Sequence, residues 1–172
     1  RQLTVEQRLR VARGAFVSGA DLFDARFFGV PMAEAAAMDP QQRLLLELGY
    51  AALHSAGETR AGMMNSDAGV FLGIMNTDFL LMDKTHSVYA ATGGATSIAS
   101  GRLSFALGLH GPCMSLDTAC SSALVALHAA IAPLRAGECS RAIVAAANLM
   151  LAPGPAVAFA RAGMLAVDGR CK

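Results

Sequence analysis

The residue in this chain best suited to covalent chemistry is Cys120, in the run Asp117-Thr118-Ala119-Cys120-Ser121-Ser122-Ala123-Leu124. The residues from Cys113 to Thr118 read as a strand. A helix follows to about Arg135 and is ended by Gly137. A cysteine at such a turn meets the unbonded N–H groups of the first helical turn and the positive end of the helix dipole, which together stabilise a thiolate. The same donors can face the oxyanion that forms when sulfur attacks a carbonyl. The acyl group is then held as a thioester, a form that a carbanion can attack. Ser121, Ser122 and Ala123 are small and leave room for an acyl chain. A buried cysteine can equally be a small inert hydrophobe, and position alone leaves both readings open.

No partner for such a nucleophile stands out nearby. His128 lies eight residues along the same helix, about 12 Å along the axis and too far for a direct hydrogen bond. His54, His86 and His110 fall at a helix end and in loops, where packing roles are expected. Asp117 is placed to cap or orient the turn. Cys113, at the strand start, is expected in the core, and Cys139 and Cys171 in turns.

Several elements must position this turn. Asp39-Pro40 opens a long helix, with Asp39 as cap, Pro40 in the first turn, and Leu44, Leu45, Leu48 and Ala52 as the expected buried stripe, until Gly57 stops it. A shorter helix precedes it over Ala33 to Met38. The run AGVFLGI, from Ala68 to Ile74, reads as a buried strand, and Asn76 to Tyr89 as an irregular segment. Gly93 and Gly94 precede a helix over Thr96 to Leu107 whose small residues Ala99, Ser100 and Gly101 suit a close interface. A buried strand is expected from Ala142 to Leu151, and a short helix near Ala156 to Ala162. Strands alternating with helices imply an α/β fold with the sheet covered on both faces.

Composition narrows the function classes. Apolar residues make up 54% and charged residues 16% of 172 positions, with a formal net charge of +1. Such a chain buries most of itself or leaves apolar surface for a partner. With no basic run, neither nucleic acid nor a membrane surface is an expected partner. No apolar run reads as membrane-spanning, since Ser122 to Leu134 is interrupted by His128 and Pro133. Four cysteines without a CxxC pair fit neither a zinc site nor a disulfide framework, so reduced thiols, a cytoplasmic location and no metal are expected.

The run DTACSSAL resembles the active-site signature of the β-ketoacyl synthase (ketosynthase) domains of type I modular polyketide synthases, with Ala123 in place of a third serine. The likeness extends outward in family order. It takes in Asp24 to Gly29 (DARFFG), Met38 to Glu47 (MDPQQRLLLE), Tyr89 to Leu103 (YAATGGATSIASGRL), Leu109 to Ser115 (LHGPCMS), Ala136 to Glu138 (AGE), Asn148 to Leu151 (NLML) and Met164 to Lys172. Departures occur at Val30-Pro31-Met32, at Ala145-Ala146-Ala147 in place of a glycine-rich run, and at Ala166-Val167. None of these touches the nucleophile.

The resemblance implies a thiolase-like layered α/β/α fold, of which residues 1–172 would form an incomplete N-terminal half. This partial ketosynthase domain would lack the family's first strand and its C-terminal half. It implies that Cys120 accepts an acyl group, with its own N–H as one oxyanion donor. A decarboxylated malonyl-type extender would then condense with the bound acyl group, in polyketide or fatty acid biosynthesis. No cofactor would be bound directly, because substrates ride on the phosphopantetheine of an acyl carrier protein. Expected partners are that carrier protein, a second copy in a homodimer, and other domains of a multidomain synthase. The family's two histidines lie in an HGTGT motif and a later GH motif, and neither motif occurs here. A catalytically incomplete piece with a structural or dimer-forming role is therefore the alternative. A free-standing fatty-acid ketosynthase or a degradative thiolase fits the spelling MDPQQRLLLE less well.

Overall fold

The computed structural model describes residues 2–75, 78–82 and 87–170. In chain order the elements are α1 (Val5–Val11), α2 (Ala25–Phe28), α3 (Met32–Ala37), α4 (Pro40–Ser55), α5 (Arg60–Met63), β1 (Gly69–Ile74), α6 (Phe79–Met82), α7 (Ala90–Gly94), α8 (Thr96–Leu107), β2 (Cys113–Leu116), α9 (Ser122–Ala136), β3 (Ala142–Ala147) and α10 (Pro153–Arg161). They form two compact units, Ala20–Leu149 and a second made of Arg1–Gly19 with Met150–Lys172.

In the larger unit three parallel strands are ordered β2-β1-β3. β1 pairs on both sides, Val70 with Cys113 and Ile143, and Gly73 with Leu116 and Ala146. Its side chains alternate between faces, as a period of two requires. Val70, Leu72 and Ile74 join the main core with Met38, Leu45, Leu46, Leu53, Met63, Leu103 and Leu107. Phe71 points the other way and packs with Ala126 and Ala130 of α9. The sheet is thus sandwiched between α4 and α8 on one face and α9 on the other. Removing Phe71 or Leu72 from water contributes on the order of 2 kcal/mol each.

Local chemistry accounts for the helix starts. Asp39 Oδ1 accepts from the Gln41 N–H at 2.8 Å, and Pro40 occupies the first turn of α4. Asp24 Oδ1 caps α2 through the Phe27 N–H at 2.9 Å. In the smaller unit α1 opens with a capping box, in which Gln7 N–H donates to Thr4 Oγ1 at 3.2 Å and Thr4 N–H to Gln7 Oε1 at 3.0 Å. There Arg13 Nη1 donates to the Val167 carbonyl at 3.1 Å, and the Arg10 guanidinium to the Leu165 carbonyl.

The structure corrects several expectations. The buried stripe of α4 is Leu45, Leu46, Gly49 and Leu53. Leu44 is half-buried, and Leu48 and Ala52 are exposed. The helix is rotated so that Gln41 and Gln42 face inward with them, which the apolar pattern alone does not show. Cys113 is exposed, because β2 is an edge strand. Cys139 is buried, and that burial pushes its thiol above the ordinary range. β2 ends at Leu116 and β3 at Ala147, both short of their expected limits. Gly93 and Gly94 lie within α7, and α10 begins at Pro153, in keeping with proline's fit to a first turn.

Ala99 and Ser100 of the small-residue face are buried within the chain, where Ser115 Oγ on β2 donates to Ser100 Oγ at 3.0 Å. The segment Ala119–Ala136 is, by length and composition alone, apolar enough to cross a membrane, with mean hydropathy 1.4. His128 and Pro133 lower that mean without taking it out of this range, so these two interruptions do not exclude such a span by composition. Much of the irregular stretch from Asn76 to Tyr89, His86 included, and Cys171 lie outside the described residues.

Candidate active site

Three elements converge on Cys120. The first is the turn between β2 and α9, in which Ala119 has φ +56°, the left-handed region that costs an L-residue roughly 1–3 kcal/mol. The turn persists because its neighbours hold both faces of that peptide. Asp117 Oδ1 accepts the Ala119 N–H at 3.0 Å, and the Ala119 carbonyl accepts from Ser122 Oγ at 2.7 Å and Ser122 N–H at 3.1 Å. Ser122 Oγ also accepts the Thr118 N–H at 2.9 Å. Ser121 Oγ donates to the Thr118 carbonyl at 2.7 Å. The two serines pin the turn, a role beyond the small size read from the sequence.

Ser121 occupies the N-cap position of α9 but makes no side-chain capping bond. The Ser122 N–H is taken by the Ala119 carbonyl, and no side chain at the cap competes for the N–H groups of Ala123 and Leu124 that follow it. Cys120 is solvent-exposed at this end.

The second element is the end of β1. A Cβ placed on Gly73 would stand 2.7 Å from the Ser122 carbonyl carbon and 2.9 Å from the Ala123 nitrogen. Glycine is thus what lets the start of α9 lie directly on the central strand. Glycine inside the run AGVFLGI is the sequence signal for this contact, which a reading of that run as a buried strand alone does not show. The third element is the end of β3.

Together Gly73, Ile74, Met75, Ala119, Cys120, Ser122, Ala123, Ala146, Ala147 and Asn148 line a cleft of about 340 Å³. Asn148 was legible beforehand only as part of the NLML run. A larger open groove, about 1220 Å³, lies within the smaller unit between α1 and residues 163–170, and among the described residues neither cysteine nor histidine lines it.

Of the other sequence candidates, Asp117 orients the turn as expected. His128 is exposed on α9. His110 Nε2 lies 3.2 Å from Asn65 Oδ1, and the His54 ring packs 6.2 Å from that of Tyr50. None of these three lines the Cys120 cleft. Among the described residues no group of three or more His, Cys, Asp or Glu side chains is gathered to hold a metal.

Comparison with known proteins identifies the family and the fold. The family described as "Beta-ketoacyl synthase, N-terminal domain" matches residues 2–172. Polyketide synthase GfsB of Streptomyces halstedii is 50% identical over 92% of this chain, and the spectinabilin polyketide synthase protein NorC of Streptomyces orinoci 47% identical over 96%. The chain spans only 3% and 8% of their lengths.

Among solved structures, a ketosynthase from module 6 of the bacillaene synthase of Bacillus subtilis 168 superimposes with TM-score 0.83 at 36% identity, covering 91% of this chain and 26% of that one. The oxazolomycin ketosynthase domain OzmH KS7 of Streptomyces albus JA3453 gives 0.83 at 34%, covering 92% of this chain and 28% of that one. The layered sheet is therefore the N-terminal portion of the thiolase-like ketosynthase fold. With its match over residues 2–172 and its likeness to solved ketosynthases, the chain belongs to the β-ketoacyl synthase family, of the kind found in type I modular polyketide synthases.

Proposed function

We propose that this chain carries the acyl-accepting site of a polyketide-synthase ketosynthase, with Cys120 as the nucleophile. The observation that supports this most is an exposed sulfur at a strained, over-determined turn, in a cleft beside an uncapped helix N-terminus. The thiolate of Cys120 attacks the carbonyl carbon of an acyl thioester. A bond forms from that carbon to the Cys120 sulfur and the bond to the donor sulfur breaks. The donor leaves as a thiol, taking up the proton that Cys120 gave. Negative charge on the carbonyl oxygen in between is stabilised by backbone N–H groups at the start of α9.

The donor would be the phosphopantetheine arm of an acyl carrier protein, and the chain would work in the cytoplasm beside the other domains of a synthase, as a homodimer. Condensation with a decarboxylated malonyl-type extender follows in the family, and it needs the two histidines whose motifs this sequence does not contain. A structural role in assembly is the second reading. The exposed apolar residues Leu124, Leu127, Ile131 and Leu134 along α9 favour it.

The test is incubation with octanoyl-N-acetylcysteamine followed by intact mass spectrometry. An octanoyl adduct that disappears in Cys120→Ala is expected. Folded protein that takes up no acyl group would overturn the acyl-accepting role. No β-ketoacyl product is expected from this chain alone with a malonyl thioester, and detecting one would refute the need for the histidine pair.

A further inference from the structure

Gln41 is fully buried at the first turn of α4, where an apolar residue would cost nothing in lost hydration. Its polar atoms are engaged in a directed chain. Asp39, whose own N–H donates to the Gly93 carbonyl at 2.9 Å, receives the Gln41 backbone N–H on Oδ1 at 2.8 Å and Gln41 Nε2 on Oδ2 at 3.2 Å. With its amide so oriented, Gln41 Oε1 accepts the N–H of Leu149 at 2.9 Å.

That bond lies where the sheet ends. The β1–β3 ladder closes at Ile74 with Ala147, so Asn148 and Leu149 are past its last pair. Asn148 is part of the cleft wall beside Cys120. The other two walls are locked to each other through the contact of Gly73 with the start of α9. Gln41 supplies an acceptor to this segment just past the last strand pair.

We infer that Gln41 is a positioning residue for acyl transfer: held by Asp39, it fixes the Asn148–Leu149 segment as the wall against which an acyl thioester seats beside Cys120. This inference rests on Cys120 being the acylated nucleophile. A small alkylating agent needs only the exposed sulfur, whereas a thioester must also be held in register with it. Loss of the Gln41 acceptor should therefore separate the two reactions.

The experiment compares Gln41→Met, similar in size but without an acceptor, with the unaltered chain. Two rates at Cys120 are measured by mass spectrometry of the Cys120-containing peptide after digestion, which separates it from the exposed Cys113: alkylation by iodoacetamide and acylation by octanoyl-N-acetylcysteamine. The expected result is acylation slowed about tenfold or more, since misplacement of about 1 Å can cost more than that, with alkylation within about twofold on the same scale of estimate.

Equal rates in the variant and the unaltered chain would overturn the inference while leaving Cys120 as nucleophile. An equal fall in both rates would also overturn it, because it marks a general loss of structure. Failure of the unaltered chain to acylate while it alkylates normally would instead sink the underlying role of Cys120. Should Gln41→Met fail to fold, Asp39→Asn serves in its place. Asparagine still caps α4, but it offers one oxygen where Asp39 offers two, so the same selective loss is expected, and its absence counts against the inference.

Discussion

Replacing Gly73 by alanine adds a single methyl group at the point where the central strand meets the start of α9. The new Cβ would lie 2.7 Å from the Ser122 carbonyl carbon and 2.9 Å from both the Ala123 nitrogen and the Ser122 oxygen. Non-bonded carbons prefer about 3.5–4.0 Å, so the helix start must retreat by roughly 1 Å. β1 cannot yield instead, because it is hydrogen-bonded on both edges. Overpacking of this kind costs about 1–3 kcal/mol, which for a chain of this length lowers Tm by roughly 2–12 °C. The retreat carries Cys120 and the first-turn N–H groups with it, and a displacement of that size costs about a hundredfold in a positioned reaction.

Gly101→Ala is the matched control. Nothing stands within 4 Å of its added Cβ, and it lies inside α8. Helix propensity then makes it neutral or stabilising by up to about 1 kcal/mol. Differential scanning calorimetry and the rate of Cys120 acylation measure both effects. A Gly73→Ala protein that melts and acylates like the unaltered chain would refute the reasoning that this close approach positions the nucleophile.

Two further predictions follow from polar contacts in the larger unit. Asp67 Oδ1 and Oδ2 accept from Ser140 Oγ at 2.5 Å and Ser140 N–H at 2.8 Å, and the serine hydroxyl bond first of all holds the carboxyl below its ordinary value of 3.8. A depressed carboxyl stabilises the fold above its unfolded value and loses that contribution as pH falls. Tm should therefore drop on acidification below 3.8, and Asp67→Asn should flatten that part of the Tm–pH curve. Arg102 Nε donates to Gln42 Oε1 at 2.8 Å and its guanidinium pairs with Glu34. Arg102→Met strands the buried Gln42 oxygen and should cost about 1–3 kcal/mol in urea denaturation, whereas an unchanged midpoint would show that the contact contributes little.

The reach of sequence reasoning divides along physical lines. Where one residue type answers one local need, the outcome was legible. Asp39 and Pro40 start α4, Gly137 ends α9 in the left-handed conformation, and Asp117 turns the chain toward Cys120. Helix rotation was not legible, because α4 carries three consecutive leucines and either flank could have faced the core. Two glutamines settled the matter by needing buried partners, Gln42 at the carbonyls of Thr92 and Ala95 and Gln41 at Leu149.

The place of Cys113 depended on strand order. A strand of apolar character is buried at the centre of a sheet and half-open at its edge, and local pattern does not distinguish the two. The cleft itself was hidden for a similar reason. Its walls come from β1, α9 and β3, and proximity across a parallel sheet leaves no mark on the spacing of residues within any one of them.

The order of the strands has a consequence for how the cleft beside Cys120 is assembled. During synthesis the ribosome delivers β1 first, then β2 and Cys120, and last β3, yet β1 lies between the other two. Its second edge stays unpaired until Ala142–Ala147 arrives, and pairings between distant segments of a chain form slowly. Through that interval the thiol is tethered to a half-built platform, bare to solvent and without its third wall. The cleft beside Cys120 is thus complete only once Ala146, Ala147 and Asn148 have emerged, well after the thiol itself.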